Sequence, residues 1–254
     1  MLGVDLNCDM GESTGLWHYD INKDIELLNY VSSINIACGF HAGDSDTMQL
    51  LTGIAIKNKV AIGAHPSFPD KVNFGRTNME LSRQRIYEIV KEQIIILNEI
   101  VKRQDGKMHH VKPHGALYNM ASKDRIIANA ICKAVHDIDA SIILYGLSGS
   151  ELITAAAENK LKNYSEVFAD RTYQDDGSLT PRTAANALMR DTNRVAAQVI
   201  QMIKHKTVTS LSGREVPIRP DTVCIHGDSI HAVEFAKTIY SVLKSNDIRI
   251  SAEL

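Results

Sequence analysis

The chain has 254 residues, 44% hydrophobic and 23% charged, with 28 Lys plus Arg against 30 Asp plus Glu and a net charge of -2. That composition excludes a disordered segment, a fibrous protein and a small cross-linked scaffold. Near-neutrality removes any strong electrostatic draw towards nucleic acid or an anionic membrane.

The length suits one α/β barrel as well as two smaller domains, and no composition break or flexible linker divides it. Cys8, Cys38, Cys132 and Cys224 form no C-x-x-C pair and read as packing residues. No basic n-region precedes an apolar stretch at the start, and no apolar run reaches membrane-span length, so a cytoplasmic protein with reduced thiols is expected.

Strands are predicted at Gly3–Cys8, Ser33–Cys38, Val60–His65, His110–His114, Ser141–Tyr145, Glu166–Asp170 and Thr222–His226. Helices are predicted near 20–31, 45–58, 82–104, 122–137, 149–160, 184–205 and 229–245. The third helix places Ile86, Ile89, Val90, Ile94, Leu97, Ile100 and Val101 on one face. Ser148 with Glu151 reads as a capping box, and Ser122 and Ser229 as N-caps. Seven strand–helix alternations imply a parallel sheet with right-handed crossovers, and the absence of a glycine-rich dinucleotide fingerprint favours a closed, seven-stranded β/α barrel over an open sheet. A hairpin is predicted within 206–221, before the last strand.

Chemistry is expected beyond the carboxyl ends of these strands. In the first strand Asp5, Asn7 and Asp9 share one face, opposite Val4, Leu6 and Cys8. Five strands deliver His41, His65, Lys112 with His114, Asp170 with Arg171, and His226 at equivalent ends. Such a set suits proton transfer and the binding of anionic oxygens. Pro113 inside a strand marks a bulge or a strand end. His18, His136, His205, His109 and His110 read as surface or bottom-face residues, and His231 opens the last helix. The sequence has no phosphate-binding loop, H-E-x-x-H helix or G-x-S-x-G elbow. Any metal would need ligands gathered from several strand ends.

Long linear stretches then carry a resemblance. Asp5-Leu-Asn-Cys-Asp-Met-Gly-Glu12, Asn35-Ile-Ala-Cys-Gly-Phe-His-Ala-Gly-Asp44, Gly63-Ala-His-Pro-Ser67 and Phe74-Gly-Arg76 are similar to the LamB/YcsF family. So are Val111-Lys-Pro-His-Gly-Ala-Leu-Tyr118, Phe168-Ala-Asp-Arg-Thr-Tyr173, Gly177-Ser-Leu-Thr-Pro-Arg182 and Cys224-Ile-His-Gly-Asp228. The resemblance implies a seven-stranded barrel like those of certain glycoside hydrolases and deacetylases. It also implies ATP-dependent opening of the 5-oxoproline lactam to L-glutamate, in a complex with B and C subunits.

On that chemistry Asp9 or Asp170 is the expected base, with His41, His65, His114 and His226 as acid or orienting groups. Arg76, Arg171, Arg182 and Lys112 would hold anionic oxygens. Asn7, Glu12 and Asp44 would orient substrate, water or a magnesium or other divalent ion. Whether ATP binds this chain or its partners is left open. The alternatives are a metal-dependent amide or N-acetyl hydrolase of the barrel deacetylase type, and a non-catalytic scaffold.

Overall fold

A computed structural model describes residues 2–14, 20–225 and 232–254. In chain order the described elements begin with β1 (Gly3–Met10), α1 (Ile21–Leu27), β2 (Ser33–Ala37), α2 (Ser45–Asn58), β3 (Ala61–His65), α3 (Arg83–Arg103) and β4 (Met108–Val111). There follow α4 (Gly115–Ala121), α5 (Arg125–Ile138), β5 (Ile143–Leu147), α6 (Glu151–Glu158), β6 (Asn163–Phe168) and α7 (Thr192–His205). The last described elements are β7 (Thr207–Thr209), β8 (Glu215–Pro217), β9 (Thr222–Ile225), α8 (Ala232–Ser245) and β10 (Arg249–Ile250).

Strands β1 to β6 and β9 pair in parallel, and β9 pairs back onto β1, so seven strands close into a barrel. The short β10 adds alongside the start of β1. Strands β7 and β8 form an antiparallel hairpin before β9, turning at Ser212-Gly213. No helix among the described residues is long and apolar enough to cross a membrane.

The period-two alternation sorts the barrel wall into two faces. Val4, Leu6, Cys8 and Met10 face outwards, in one core with Ile34, Ile36, Ile62, Val167 and Val223 and the apolar faces of the surrounding helices. The α3 residues Ile86, Ile89, Val90, Ile94, Leu97, Ile100 and Val101 are all buried there. The inner face is polar and layered. At the bottom, Asp5 accepts hydrogen bonds from Ser32 (2.6 Å), Ser33 (2.7 Å), Thr222 (2.6 Å) and Tyr145 (3.0 Å). The next layer joins Asn7, Asn35, His110 and Glu166.

Several expectations shift. The fourth strand ends at Val111, so Lys112, Pro113 and His114 lie beyond the ladder, and Pro113 follows directly on the Lys112 amide's bond to Ala64 (2.9 Å). The sixth strand starts earlier, placing Glu166 within it and Asp170 past its end. An unpredicted helix, α4, precedes the predicted one: Ser122 closes α4, and Asp124 caps α5 by accepting from the Ile126 and Ile127 amides. The capping residue of α6 is Ser150, whereas Ser148 accepts from the Arg219 amide. Residues 184–191 are not helical, and Asp191 caps α7. Ser229 lies outside the described residues.

His110 is not on a surface. It is fully buried inside the barrel, bonded to Asn35 Oδ1 (2.8 Å) and stacked on Tyr145 with ring centroids 4.0 Å apart. His109 packs against it through a 3.1 Å contact between their Nδ1 atoms. Gly63 makes room for the His110 ring, since a Cβ at 63 would stand 2.2 Å from Nε2. Gly63→Ala is therefore expected to destabilise the fold by about 1–3 kcal/mol, the usual cost of overpacking a rigid core, read as a lower midpoint in urea or thermal unfolding.

Candidate active site

Three strand ends build the floor of a cleft at the carboxyl end of the barrel, about 810 Å³ in volume. Its lining includes Asp9 near the end of β1, Glu12 just past it, His65 at the end of β3, and Lys112 and His114 after β4. The 171–183 segment roofs one side, with Arg171, Thr180 and Arg182.

Lys112 reaches inwards. Its Nζ lies 2.8 Å from Asp9 Oδ1, 2.8 Å from Glu166 Oε1 and 3.1 Å from both Asn7 Oδ1 and Cys224 Sγ. Glu166 is fully buried and accepts a second hydrogen bond from Tyr118 OH (2.7 Å). Burial works against the ammonium, but Asp9 foremost, with Cys224 and Glu166, overcomes this and holds the Lys112 pKa well above its ordinary value. Lys112 is thus a permanent cation.

Above it, three imidazoles pack together. His41 stacks on His114 with centroids 3.8 Å apart. Its Nε2 lies 3.2 Å from Glu12 Oε1 and its Nδ1 2.8 Å from Ser67 Oγ. Burial, helped by His114, pushes the His41 pKa down to about 3. His65 Nδ1–H donates to the Lys112 carbonyl (2.7 Å), and His114 Nε2–H donates to the Phe74 carbonyl (3.0 Å). The two remaining nitrogens, His65 Nε2 and His114 Nδ1, face each other at 3.0 Å. Burial lowers the His114 pKa, while for His65 the adjacent Asp9 outweighs burial and raises it.

The Phe74 carbonyl is aimed by a left-handed backbone, with φ of 57° at Phe74 and 65° at Gly75, a conformation a non-glycine residue rarely holds. Asp70 fixes this loop by accepting from Asn73 and the Thr77 amide. Gly115 lets β4's extension approach, since a Cβ there would meet Gly75 O at 2.5 Å.

The sequence-predicted residues divide accordingly. Asp9, Glu12, His65, Lys112, His114, Arg76, Arg171 and Arg182 line the cleft. His41 stands directly behind, touching Glu12 and His114. Asn7 lies one layer below and binds Glu166 and Lys112. Asp170 is buried at the root of the 171–191 segment and is not part of the cleft lining; its carbonyl accepts from the Met189 amide. Asp44 caps α2 through the Thr47 amide and is exposed. Arg171 donates to the Thr180 carbonyl (2.6 Å), bracing the roof, while burial and nearby Arg182 lower its pKa to about 10. His226 lies outside the described residues, as do His18 and His231. His136 and His205 are exposed, as expected.

Glu166, Asn35 and Tyr118 are parts of this network that sequence reasoning did not single out. A Glu inside an apolar strand run was the available signal for Glu166. All four cysteines are free and buried, and Cys224 also faces the Lys112 ammonium.

The profile of the LamB/YcsF family matches residues 4–253. The chain belongs to the LamB/YcsF family. A relative from Geobacillus kaustophilus, named as the A subunit of 5-oxoprolinase, is 53% identical over 252 residues, covering 99% of this chain and 97% of its own. One of the same name from Tolumonas auensis is 50% identical, covering 99% of this chain and 100% of its own. The crystal structure of the lactam utilization protein of Thermus thermophilus superposes with a TM-score of 0.91 at 38% identity, covering 99% of this chain and 100% of that one.

The buried charges set two expected outcomes. Lys112→Met leaves Asp9 and Glu166 facing each other without their cation, and stability should fall by about 3–5 kcal/mol in denaturant unfolding. Asp24 accepts from the Gly11 amide (2.8 Å) behind Glu12, and burial raises its pKa to about 7 from the ordinary 3.8. A carboxyl raised on folding costs stability as it ionises, so Asp24→Asn should gain on the parent protein as pH rises from about 4 to about 7, and hold that gain above. Urea titrations at pH 5 and pH 8 check the sign.

Proposed function

We propose that this chain is the A subunit of a 5-oxoprolinase, opening the 5-oxoproline lactam to L-glutamate with hydrolysis of ATP, in a complex with B and C subunits. The near-complete alignment with relatives that carry that name supports this reading most directly. The cleft supports it chemically. An acid–base floor (Asp9, Glu12, His65, His114) shares the cleft with Arg76, Arg171 and Arg182, and the cleft is roomy enough for a small anion and a nucleotide phosphate together.

A five-membered lactam is a resonance-stabilised amide and a poor electrophile. Transfer of the γ-phosphoryl group of ATP to the amide oxygen makes the ring carbon attackable and releases ADP. Addition of water and cleavage of the C–N bond yield a γ-carboxyl phosphate, which a second water hydrolyses to glutamate and phosphate. Arg76, Arg171 and Arg182 would hold the substrate carboxylate and phosphoryl oxygens. Asp9 would take the proton of the attacking water, its Oδ1 held by Lys112 and Asn35 and its Oδ2 turned towards His65 (3.4 Å). Asp9 would then return that proton to the departing ring nitrogen, with His65 and His114 orienting the floor around it. Asp9 is preferred to Asp170 as the base because Asp9 lines the cleft. ATP use is assigned to the complex, with magnesium accompanying the nucleotide.

The test mixes this chain with its B and C partners, ATP and 5-oxoproline, leaves out each in turn, and measures glutamate and ADP. Glutamate is expected only from the full mixture, with Asp9→Asn lowering turnover by about 10²–10⁴-fold while retaining the native circular dichroism spectrum. Glutamate formed without ATP would instead support direct amide hydrolysis, and glutamate formed without this chain would reduce it to a scaffold.

A further inference from the structure

We propose that the cleft floor is a divalent metal site, with Asp9 Oδ2, Glu12 Oε1, His65 Nε2 and His114 Nδ1 as protein ligands. Two features of the hydrogen bonding point to it. First, each imidazole has its other nitrogen committed to a backbone carbonyl: His65 Nδ1 to Lys112 O, and His114 Nε2 to Phe74 O. A carbonyl only accepts, so those nitrogens carry the N–H. Each neutral ring therefore turns an unprotonated nitrogen to the other, at 3.0 Å. Second, two carboxylate oxygens converge on these same lone pairs. Glu12 Oε1 is 3.2 Å from His114 Nδ1 and 3.7 Å from His65 Nε2, and Asp9 Oδ2 is 3.4 Å from His65 Nε2. With both rings neutral, four acceptors so placed repel one another unless a cation lies among them.

The spacing identifies the cation's size. Donors held about 2.1 Å from one ion stand roughly 3.0–3.4 Å apart at neighbouring corners of a tetrahedron or octahedron. The separations of 3.0, 3.2 and 3.4 Å fall on those edges, with 3.7 Å slightly longer, and all four donors lie within 4.8 Å of one another.

The surroundings are those of a supported metal site. The carbonyls fix both ring tautomers, and His41 holds Glu12 (3.2 Å) while stacking on His114. Lys112 and Asn35 occupy Asp9 Oδ1 and leave Oδ2 turned inwards. Two imidazoles beside two carboxylates suit Zn²⁺, Mn²⁺, Fe²⁺ or Co²⁺, and disfavour Mg²⁺, which prefers all-oxygen shells. This ion is therefore distinct from the magnesium that accompanies ATP. Its catalytic role rests on the lactam-opening reading: it would lower the pKa of a bound water, and Asp9 would act through that water. The binding claim does not rest on it.

The test is made on the isolated full-length chain and so is separable from turnover by the complex. Protein stripped with a chelator is offered Zn²⁺, Mn²⁺, Co²⁺ or Fe²⁺ singly, anaerobically for Fe²⁺, and bound metal is measured after gel filtration. About one ion per chain is expected for at least one of the four, undisplaced by millimolar Mg²⁺, with a rise in melting temperature. With Co²⁺, the visible d–d spectrum should report nitrogen and oxygen ligation. His65→Ala and His114→Ala should each weaken binding by roughly 100-fold or more, while exposed His136→Ala binds as the parent does. Absence of a stoichiometric ion with all four metals, or binding that survives both ligand variants, would overturn the proposal. Should glutamate formation by the complex persist in either case, the lactam reading stands and only the metal site falls.

Discussion

Lys112 Nζ lies 2.8 Å from one oxygen of Asp9 and 2.8 Å from one of Glu166, inside a barrel where that lysine is 2% exposed. A parallel barrel of this size fills its interior with side chains, usually branched and apolar. Here the inner face carries carboxylates, amides, hydroxyls and imidazoles instead. Each buried charge costs several kcal/mol to desolvate unless it is paired and hydrogen-bonded. The ammonium meets this constraint for two carboxylates at once and draws Asn7 and Cys224 into the same cluster.

The rest of the interior is built to the same rule. Asp5 is satisfied by four hydroxyl groups, and the Asn7–Asn35 pair connects Glu166 and Thr222 to Asp9 and His110. Among the described residues, Thr52 Oγ1 is the buried side-chain polar atom left without a partner. A network this complete holds its members in single rotamers, which is the condition for a precise site above it. Asp9 belongs to both levels: one oxygen is tied to the interior, and the other faces the cleft. The interior thereby orients the floor, and the outer apolar shell beneath the helices carries the burial that stabilises the barrel.

Much of this arrangement is readable along the chain, because it follows from local periodicity. The polar face of β1 is visible as Asp5, Asn7 and Asp9 at spacing two, and the buried face of α3 as an i, i+3, i+4 repeat. Pro113 marks the end of β4 because a residue without an N–H cannot continue a ladder. Boundaries were less legible. Ser122 looks like an N-cap, and only the path of α4 makes it a helix end. His110 looks like one of a pair of surface histidines, because nothing nearby reveals that Gly63, 47 positions earlier, leaves space for its ring.

By itself, the sequence determined the family, the barrel class and the strand ends at which chemistry gathers, since these depend on residue type, order and short-range spacing. Which of those residues meet was decided by tertiary structure. Closure of seven strands brings Asp9, Lys112 and Glu166 together from distant positions and leaves Asp44 capping a helix and Asp170 away from the cleft lining. The tautomers of His65 and His114 likewise follow from carbonyls on other segments, Lys112 and Phe74. Sequence spacing cannot encode such contacts, because the distance between two side chains inside a barrel depends on strand register and closure, not on their separation along the chain.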